Sequence, residues 1–374
     1  MANRAVLLDG SDPEVYRVRA AVLSQERNFR EAINDLEHAI ALSPNDADLW
    51  IELGDYRAEN YDTTPALNAY RHATRLAPGY GRARQLLGTC LLEAGQAEEA
   101  FAELRHASTI TPARFSKNIE LAWQTYEGDP QAMYRALQPQ SVQERIALGL
   151  FFANHSVRDQ AILLMKDAGN LPAEERLSLL QELLDTDKFD EAYAVWSAGR
   201  DESSNEEGFR PASITDGSFE GELSLDRGFG WTFNHDTRAV NIWLDQGAPY
   251  SGKQSLRLDW HGDPDHSSRI LQQRVLVLPE TRYRLTFAGR TQSLTTICPP
   301  YITVTSGKGE NEILLGQSTP LTEGSSGWRK YTLDFATPDS SRAIQISVKR
   351  VAGSEGACPI FGSVWFDDFS LARI

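Results

Sequence analysis

Ser363-Val364-Trp365-Phe366-Asp367-Asp368-Phe369-Ser370-Leu371 alternates apolar and polar residues as a half-buried strand does, until the alternation slips by one at the two aspartates. Val364 and Phe366 share one face, while Phe369 and Leu371 fall on the other. A bulge at the acidic pair is the simplest way to bury all four. Two carboxylates at a bulge need partners. A second acidic stretch, Asp216-Gly217-Ser218-Phe219-Glu220, opens the same half of the chain. A β-sandwich usually brings its first and last strands together, so the two stretches frame a domain and point to an ion site.

Between them the chain runs in short period-two segments punctuated by Gly, Pro, Asn, Asp and Ser. Leu256, Leu258 and Trp260 share one face, as do Val275 with Val277, Tyr283 with Leu285 and Phe287, Tyr331 with Leu333 and Phe335, and Ile344 with Ile346 and Val348. About ten such strands describe an antiparallel β-sandwich or jelly roll. The same parity turns Val240, Ile242 and Leu244 inward and Asn241, Trp243 and Asp245 outward. It turns Ile302 and Val304 in, Tyr301 and Thr303 out, and sets Arg290 opposite the Tyr283, Leu285 and Phe287 face. Trp243, Tyr301 and Arg290, with Asn241 and Asp245, are therefore candidates for a ligand surface; the competing expectation is that another domain, or the helical half of the chain, covers these rings.

Six motifs in order, Asp216-Gly217-Ser218-Phe219-Glu220, Gly230-Trp231, Ser251-Gly252-Lys253-Gln254-Ser255-Leu256, Pro279 with Tyr283, Trp328 and Trp365-Phe366-Asp367-Asp368, resemble the galactose-binding-like jelly rolls, the fold of many carbohydrate-binding modules. The resemblance covers nearly all of Ile214 to Ile374, implies core positions for Trp231 and Trp328, and implies a carbohydrate ligand for the surface of Trp243, Tyr301, Arg290, Asn241 and Asp245, rings stacking on apolar sugar faces and polar groups meeting the hydroxyls. It also implies a structural Ca2+ between the first strand, the Ser-Gly-Lys turn and the last strand. Glu220 and Asp368 would give side-chain oxygens and Ser218 and Lys253 backbone carbonyls, a hard-oxygen set suited to that ion. Hydrogen bonding of the same acids to neighbouring amides is the other reading.

The first half repeats every 34 residues. Pro44, Pro78 and Pro112 keep that spacing, and so do Ala39, Ala73 and Ala107; Ala32, Ala66 and Ala100; Leu36, Tyr70 and Leu104; and the small residues Ala20, Gly54 and Gly88. This resembles the tetratricopeptide repeat, in which small residues let two helices approach, bulky ones fill the space between units, and proline ends the second helix. After Pro112 the period loosens: a helix over Arg114 to Tyr126 and one over Pro130 to Leu137 form a shortened unit. Leu148, Gly149, Phe152, Ala161, Met165 and Ala168 recover the pattern, and Leu179, Leu183, Ala192 and Trp196 make a last unit. The fold class is thus α then β. An α-solenoid of helix-turn-helix repeats spans 1–200, an acidic linker 201–213, and an antiparallel jelly roll 214–374.

A solenoid's concave face commonly takes a protein partner. Here its expected positions, Glu14, Arg17, Ile51, Asp55, Arg82, Gln85 and Thr89, are mixed in sign and lack the Lys and Asn set with which family members clamp a C-terminal carboxylate. The formal net charge of -15 argues against a nucleic-acid partner, since phosphate binding relies on Lys and Arg. No apolar run is long enough to span a membrane; the best, Ile146 to Ala153, is interrupted by Gly149. The first residues hold too short an apolar segment for a secretion signal. The chain is then expected to be cytoplasmic, or, if a fragment, extracytoplasmic in the periplasm or cell envelope. Cys90 reads as a small buried residue; Cys298 and Cys358 each precede a proline in a loop, and an oxidised pair there would imply an oxidising compartment.

No catalytic set is legible. His235-Asp236 and His261-Gly262-Asp263 lack a nucleophile motif, and Gly307-Lys308-Gly309 reads as a hairpin turn rather than a phosphate loop. The expectation is a non-enzymatic binding protein, its solenoid docking a protein and its jelly roll contacting polysaccharide, of the kind found in bacterial exopolysaccharide or envelope assembly. The alternative is a structural scaffold whose sandwich has no sugar affinity.

Overall fold

The computed structural model describes residues 10–198, 211–222, 228–233, 239–262, 270–350 and 358–374. Most of the expected linker, together with His235, Asp236 and Asp263, lies outside these residues. The chain divides into two compact units, Met1–Leu164 and Met165–Ile374.

The first unit is built of helix pairs: α1 (Pro13–Gln25), α2 (Phe29–Leu42), α3 (Ala47–Glu59), α4 (Thr63–Leu76), α5 (Gly81–Glu93), α6 (Ala97–Ile110), α7 (Arg114–Thr125), α8 (Pro130–Leu137), α9 (Val142–Asn154) and α10 (Arg158–Met165). Their starts are written locally. The carboxylates of Asp12, Asp46 and Asp129 accept the amides of Glu14, Asp48 and Gln131 at 2.9, 3.0 and 2.9 Å, and Ser141 with Glu144 forms a capping box on α9. Each pair closes on a small residue. A Cβ at Gly54 would lie 2.5 Å from the Tyr70 ring, and one at Gly88 2.6 Å from Leu104, so the helices can touch only because those side chains are missing. Ala32, Ala66 and Ala100, and Ala39, Ala73 and Ala107, are all 0% exposed, which explains why the period is kept at these positions.

Two residues expected on the concave face are not available there. Ile51 is buried against Ala73 and Ala83, and Gln85 is buried and donates to Asn118 Oδ1 at 3.0 Å. Ala83 and Asn118 belong to the first helix of the following unit in each case, so these side chains fill the seam to the next unit. The others are partnered: Arg17 with Glu52 at 2.7 Å, and Asp55 with the Tyr70 hydroxyl at 2.6 Å and Arg82 at 3.6 Å.

In the second unit α11 (Ala173–Asp185) and α12 (Phe189–Ala198) precede ten strands, β1 (Thr232–Phe233), β2 (Val240–Asp245), β3 (Ser255–Gly262), β4 (Leu271–Leu276), β5 (Arg282–Thr295), β6 (Pro300–Ser306), β7 (Ile313–Gln317), β8 (Gly324–Ala336), β9 (Ala343–Arg350) and β10 (Ile360–Arg373). They form two five-stranded sheets, ordered β1-β4-β9-β6-β7 and β2-β3-β10-β5-β8, and every pairing is antiparallel. The core between them takes the inward residues read from the alternation, among them Leu256, Leu258, Trp260, Tyr283, Leu285, Phe287, Ile344, Ile346 and Val348.

The slip in β10 is a bulge. Its register against β5 jumps between Asp367 and Ser370, and Asp368 takes a positive φ of 52°. Val364, Phe366, Phe369 and Leu371 are all buried as a result. The first stretch of the sandwich meets the last strand there: Phe369 N donates to Gly217 O at 2.8 Å, and Phe219 packs on Trp231 and Phe369.

The repeat pattern runs to 200, yet the compact units divide at Leu164, because the last helices are built into the sandwich. Phe229 is boxed by Tyr193 and Trp196 at 5.1 and 5.7 Å. Phe189 lies under Arg274 and Lys308, whose Nζ pairs with Asp187 at 2.7 Å and donates to Leu184 O. Arg274 alternates with the core residues Gln273 and Val275, so it points away from the core and the helices sit on the outer side of the β4 sheet. A disulfide joins Cys298 to Cys358.

Candidate functional site

The outer face of the β10 sheet carries an aromatic and cationic row set by strand register. Trp243 on β2 pairs with Arg257 on β3, Arg257 with Trp365 on β10, and Trp365 with Arg290 on β5. The Arg257 guanidinium lies 4.7 Å from the Trp243 ring centre and 4.7 Å from that of Trp365, and Arg290 lies 4.7 Å from Trp365 on its other flank. Interleaved cations and rings attract one another along the row.

A carboxylate layer fixes the row. Asp259 accepts from Arg257 Nε at 2.7 Å, Trp243 Nε1 at 3.0 Å and the Ser363 hydroxyl at 2.5 Å. Asp245 accepts from Trp365 Nε1 at 2.7 Å and Gly247 N at 2.8 Å. Burial works against the charge of both acids, but these donors and Arg257 outweigh it and hold both below the ordinary aspartate range. Both therefore stay ionised at neutral pH.

Of the expected sugar-binding residues, the structure brings Trp243, Arg290, Asn241 and Asp245 to this one face. Trp243 is 41% exposed and Asn241 is exposed, whereas Asp245 is spent on Trp365, Gly247 and Arg257. Tyr301 does not join them. It lies on β6 opposite Lys349, in the other sheet, because alternation separates inside from outside without saying which sheet a strand enters. Thr303, expected outward beside it, is 2% exposed. Three residues of this face escaped sequence reading. Arg257 and Asp259 share the outward parity of β3, and Trp365 that of β10, but only the β3-β10-β5 order shows that they stand beside Trp243 and Arg290. Trp328, expected in the core, is half-buried on the edge strand β8, its indole donating to Ala248 O at 3.0 Å. It borders an open cavity of about 490 Å³ next to Arg290.

The acidic junction also forms, with amides at its acids. Glu220 Oε1 accepts from Lys253 N at 2.8 Å and Gln254 N at 3.3 Å. Asp367, fully buried, accepts from Tyr250 N, Ser251 N and Asp368 N at 2.9, 3.0 and 2.7 Å. Burial pushes its carboxyl upward, the amides counter this in part, and the neighbouring Asp368 charge adds to the rise. Ser218 and Asp368 stand at the same junction, Asp368 half-buried. Hard oxygens are therefore present, but Glu220 Oε1 and both oxygens of Asp367 already face N–H donors, and no group of three or more His, Cys, Asp or Glu that could hold a metal occurs among the described residues. In the first unit, a cavity of about 300 Å³ opens between α6, α7 and α8, lined by Phe101, Tyr126, Arg105 and Arg135 among others. No helix among the described residues is long and apolar enough to cross a membrane.

No protein-family model matches the chain. A stretch of 89 residues, 24% of this chain, is 30% identical to the peroxisomal targeting signal receptor of Saccharomyces cerevisiae and spans 14% of that protein's length. YrrB, described as a TPR protein with an unusual peptide-binding site, is similar over 44% of this chain and 89% of its own, at 16% identity and a TM-score of 0.31. A CBM4 structure is similar over 43% of this chain and 100% of its own, at 14% identity and a TM-score of 0.32. The architecture itself, repeated helix pairs followed by an antiparallel two-sheet β-sandwich, is the one expected from the sequence.

Proposed function

We propose that this chain bridges a protein and a glycan: the helical repeats dock a protein partner, and the outer face of the β10 sheet contacts carbohydrate. The observation that carries the second half is the 41%-exposed Trp243 indole, held in register with Arg257, the buried Trp365 and Arg290 on the sheet face that α11 and α12 leave uncovered. An exposed indole pinned by a carboxylate and a guanidinium is preorganised for stacking and loses little side-chain freedom on binding. The work we infer is exopolysaccharide or envelope assembly in a bacterium. The Cys298–Cys358 bond supports an oxidising, extracytoplasmic setting. Calcium enters this reading as the resemblance's expectation for Glu220, Asp368, Ser218 and Lys253. A chelator that leaves the melting midpoint unchanged, with no metal found by elemental analysis, removes it.

The second reading is a scaffold without sugar affinity. It is favoured by the partial cover that Arg257 gives Trp243. Glycan-array and affinity-gel binding of the full chain, wild type against Trp243→Ala, separates the two. Loss of a wild-type signal in the variant supports glycan binding, and absence of any signal leaves the scaffold.

A further inference from the structure

The two arginines of the tryptophan row differ in their company. Arg257 is neutralised by Asp259 at 2.7 Å and Asp245 at 3.6 Å. Arg290 rests on Trp365 and has no hydrogen-bonding or ion-pair partner among the described residues. Among the described residues it is also the single charged one lining the 490 Å³ cavity, whose other walls include Gln292, Ser325, Ser326 and Trp328. Part of this wall is already fixed: the Ser325 hydroxyl accepts from Ser293 N at 2.9 Å, and Ser326 shares a hydrogen bond with Thr291 at 3.0 Å. Trp328 is steadied by Ala248 O and by the Tyr250 ring at 5.8 Å.

The geometry points to an acidic sugar in this cavity, a uronate whose ring meets Trp328 and whose carboxylate takes the N–H groups of Arg290. The inference rests on the carbohydrate contact proposed above and adds the class of glycan. A neutral sugar would use the indole and the hydroxyls but leave a partly desolvated guanidinium without its anion. A planar carboxylate matches the guanidinium fork with two parallel hydrogen bonds. The chain's net charge of -15 repels polyanions at long range, so selectivity for such a glycan must come from this local group.

The test is calorimetric titration of the full chain with oligogalacturonate, alginate oligomers and glucuronoxylan fragments, each beside its carboxyl-reduced form, and with a sulfated galactan oligosaccharide. At least one uronate should bind roughly 10- to 100-fold tighter than its reduced form, the worth of one charge-assisted contact. Added salt should shrink that ratio. Arg290→Gln should bring it near one while leaving affinity for the reduced form intact, and Arg290→Lys should keep part of it. Equal binding of acidic and reduced forms, a ratio unmoved in Arg290→Gln, or preference for the sulfate ester overturns the uronate assignment and leaves carbohydrate contact standing. Absence of binding to every glycan, acidic or neutral, instead refutes the proposed function, and the uronate with it.

Discussion

Replacing Asp367 by alanine should destabilise the sandwich more than any other single change at the acidic junction. The carboxylate is 0% exposed and gathers three backbone amides, two from the 250–251 turn and one from its own bulge. Hydrogen bonds to a charged group contribute about 1.5 to 3 kcal/mol each, so the three together are worth roughly 4 to 9 kcal/mol. Burying the ion costs several kcal/mol, and the raised carboxyl pKa means that this cost outweighs those bonds for the charged form; what alanine loses is the acceptor, which leaves buried amides unpaired at about 1 to 3 kcal/mol each. A net loss of about 2 to 4 kcal/mol remains, on the order of 10 °C in midpoint for a unit of this size. Asp367→Asn can keep an oxygen toward Tyr250 and Ser251 and lose only the Asp368 amide, for about 1 kcal/mol.

The pH dependence carries a sign. Burial raises the carboxyl pKa in the folded state, so between the ordinary aspartate value and the raised one the folded protein binds more protons than the unfolded. Stability due to this group therefore falls as pH rises through that window, and the penalty of Asp367→Asn should shrink with it. Melts followed by tryptophan fluorescence report the sandwich, which holds five of the eight tryptophans. A loss below about 0.5 kcal/mol for alanine, the level of a surface change, or an asparagine penalty that grows with pH, would refute the reasoning.

Gly88→Val drives a branched side chain into Leu104 and the Ala100 carbonyl. It should cost about 1 to 3 kcal/mol in the helical transition seen by circular dichroism, and an unchanged midpoint would mean that α5 and α6 do not touch there. Cys298→Ser with Cys358→Ser opens a loop of 60 residues and should cost about 4 kcal/mol by chain entropy; midpoints with and without reductant measure it. A fragment of residues 165–374 should melt above one of residues 214–374, which uncovers Phe229 by removing Tyr193 and Trp196. Equal midpoints, with no added binding of a hydrophobic dye, would show that α11 and α12 contribute nothing to the sandwich.

The sequence is most legible where one physical constraint repeats or where it breaks locally. The 34-residue period shows because Gly54, Gly88 and the buried alanines answer to the same close helix approach in each unit. The bulge shows because one extra residue inverts parity within a single strand. What depends on partners distant in sequence is hidden. Parity puts Tyr301 outside without telling that its strand joins the other sheet, and it cannot show Arg257 and Trp365 standing between Trp243 and Arg290. Helical spacing likewise shows a face for Ile51 and Gln85 but not that the next unit covers it. The division near Leu164 is invisible because the repeat pattern continues through helices that serve the sandwich.

The bulge in β10 has a bearing on any redesign of the sugar-facing surface. Ahead of Asp367 the even-numbered side chains, Val364 and Phe366, are core and the odd-numbered Ser363 and Trp365 look outward; beyond Asp368 the assignment is exchanged, with Phe369 and Leu371 inside and Ser370 exposed. The strand is in effect written in two frames. A graft of aromatic residues onto its outer face must change frame at the aspartates, and deleting one of the pair would force either the tryptophan row or the core to turn over.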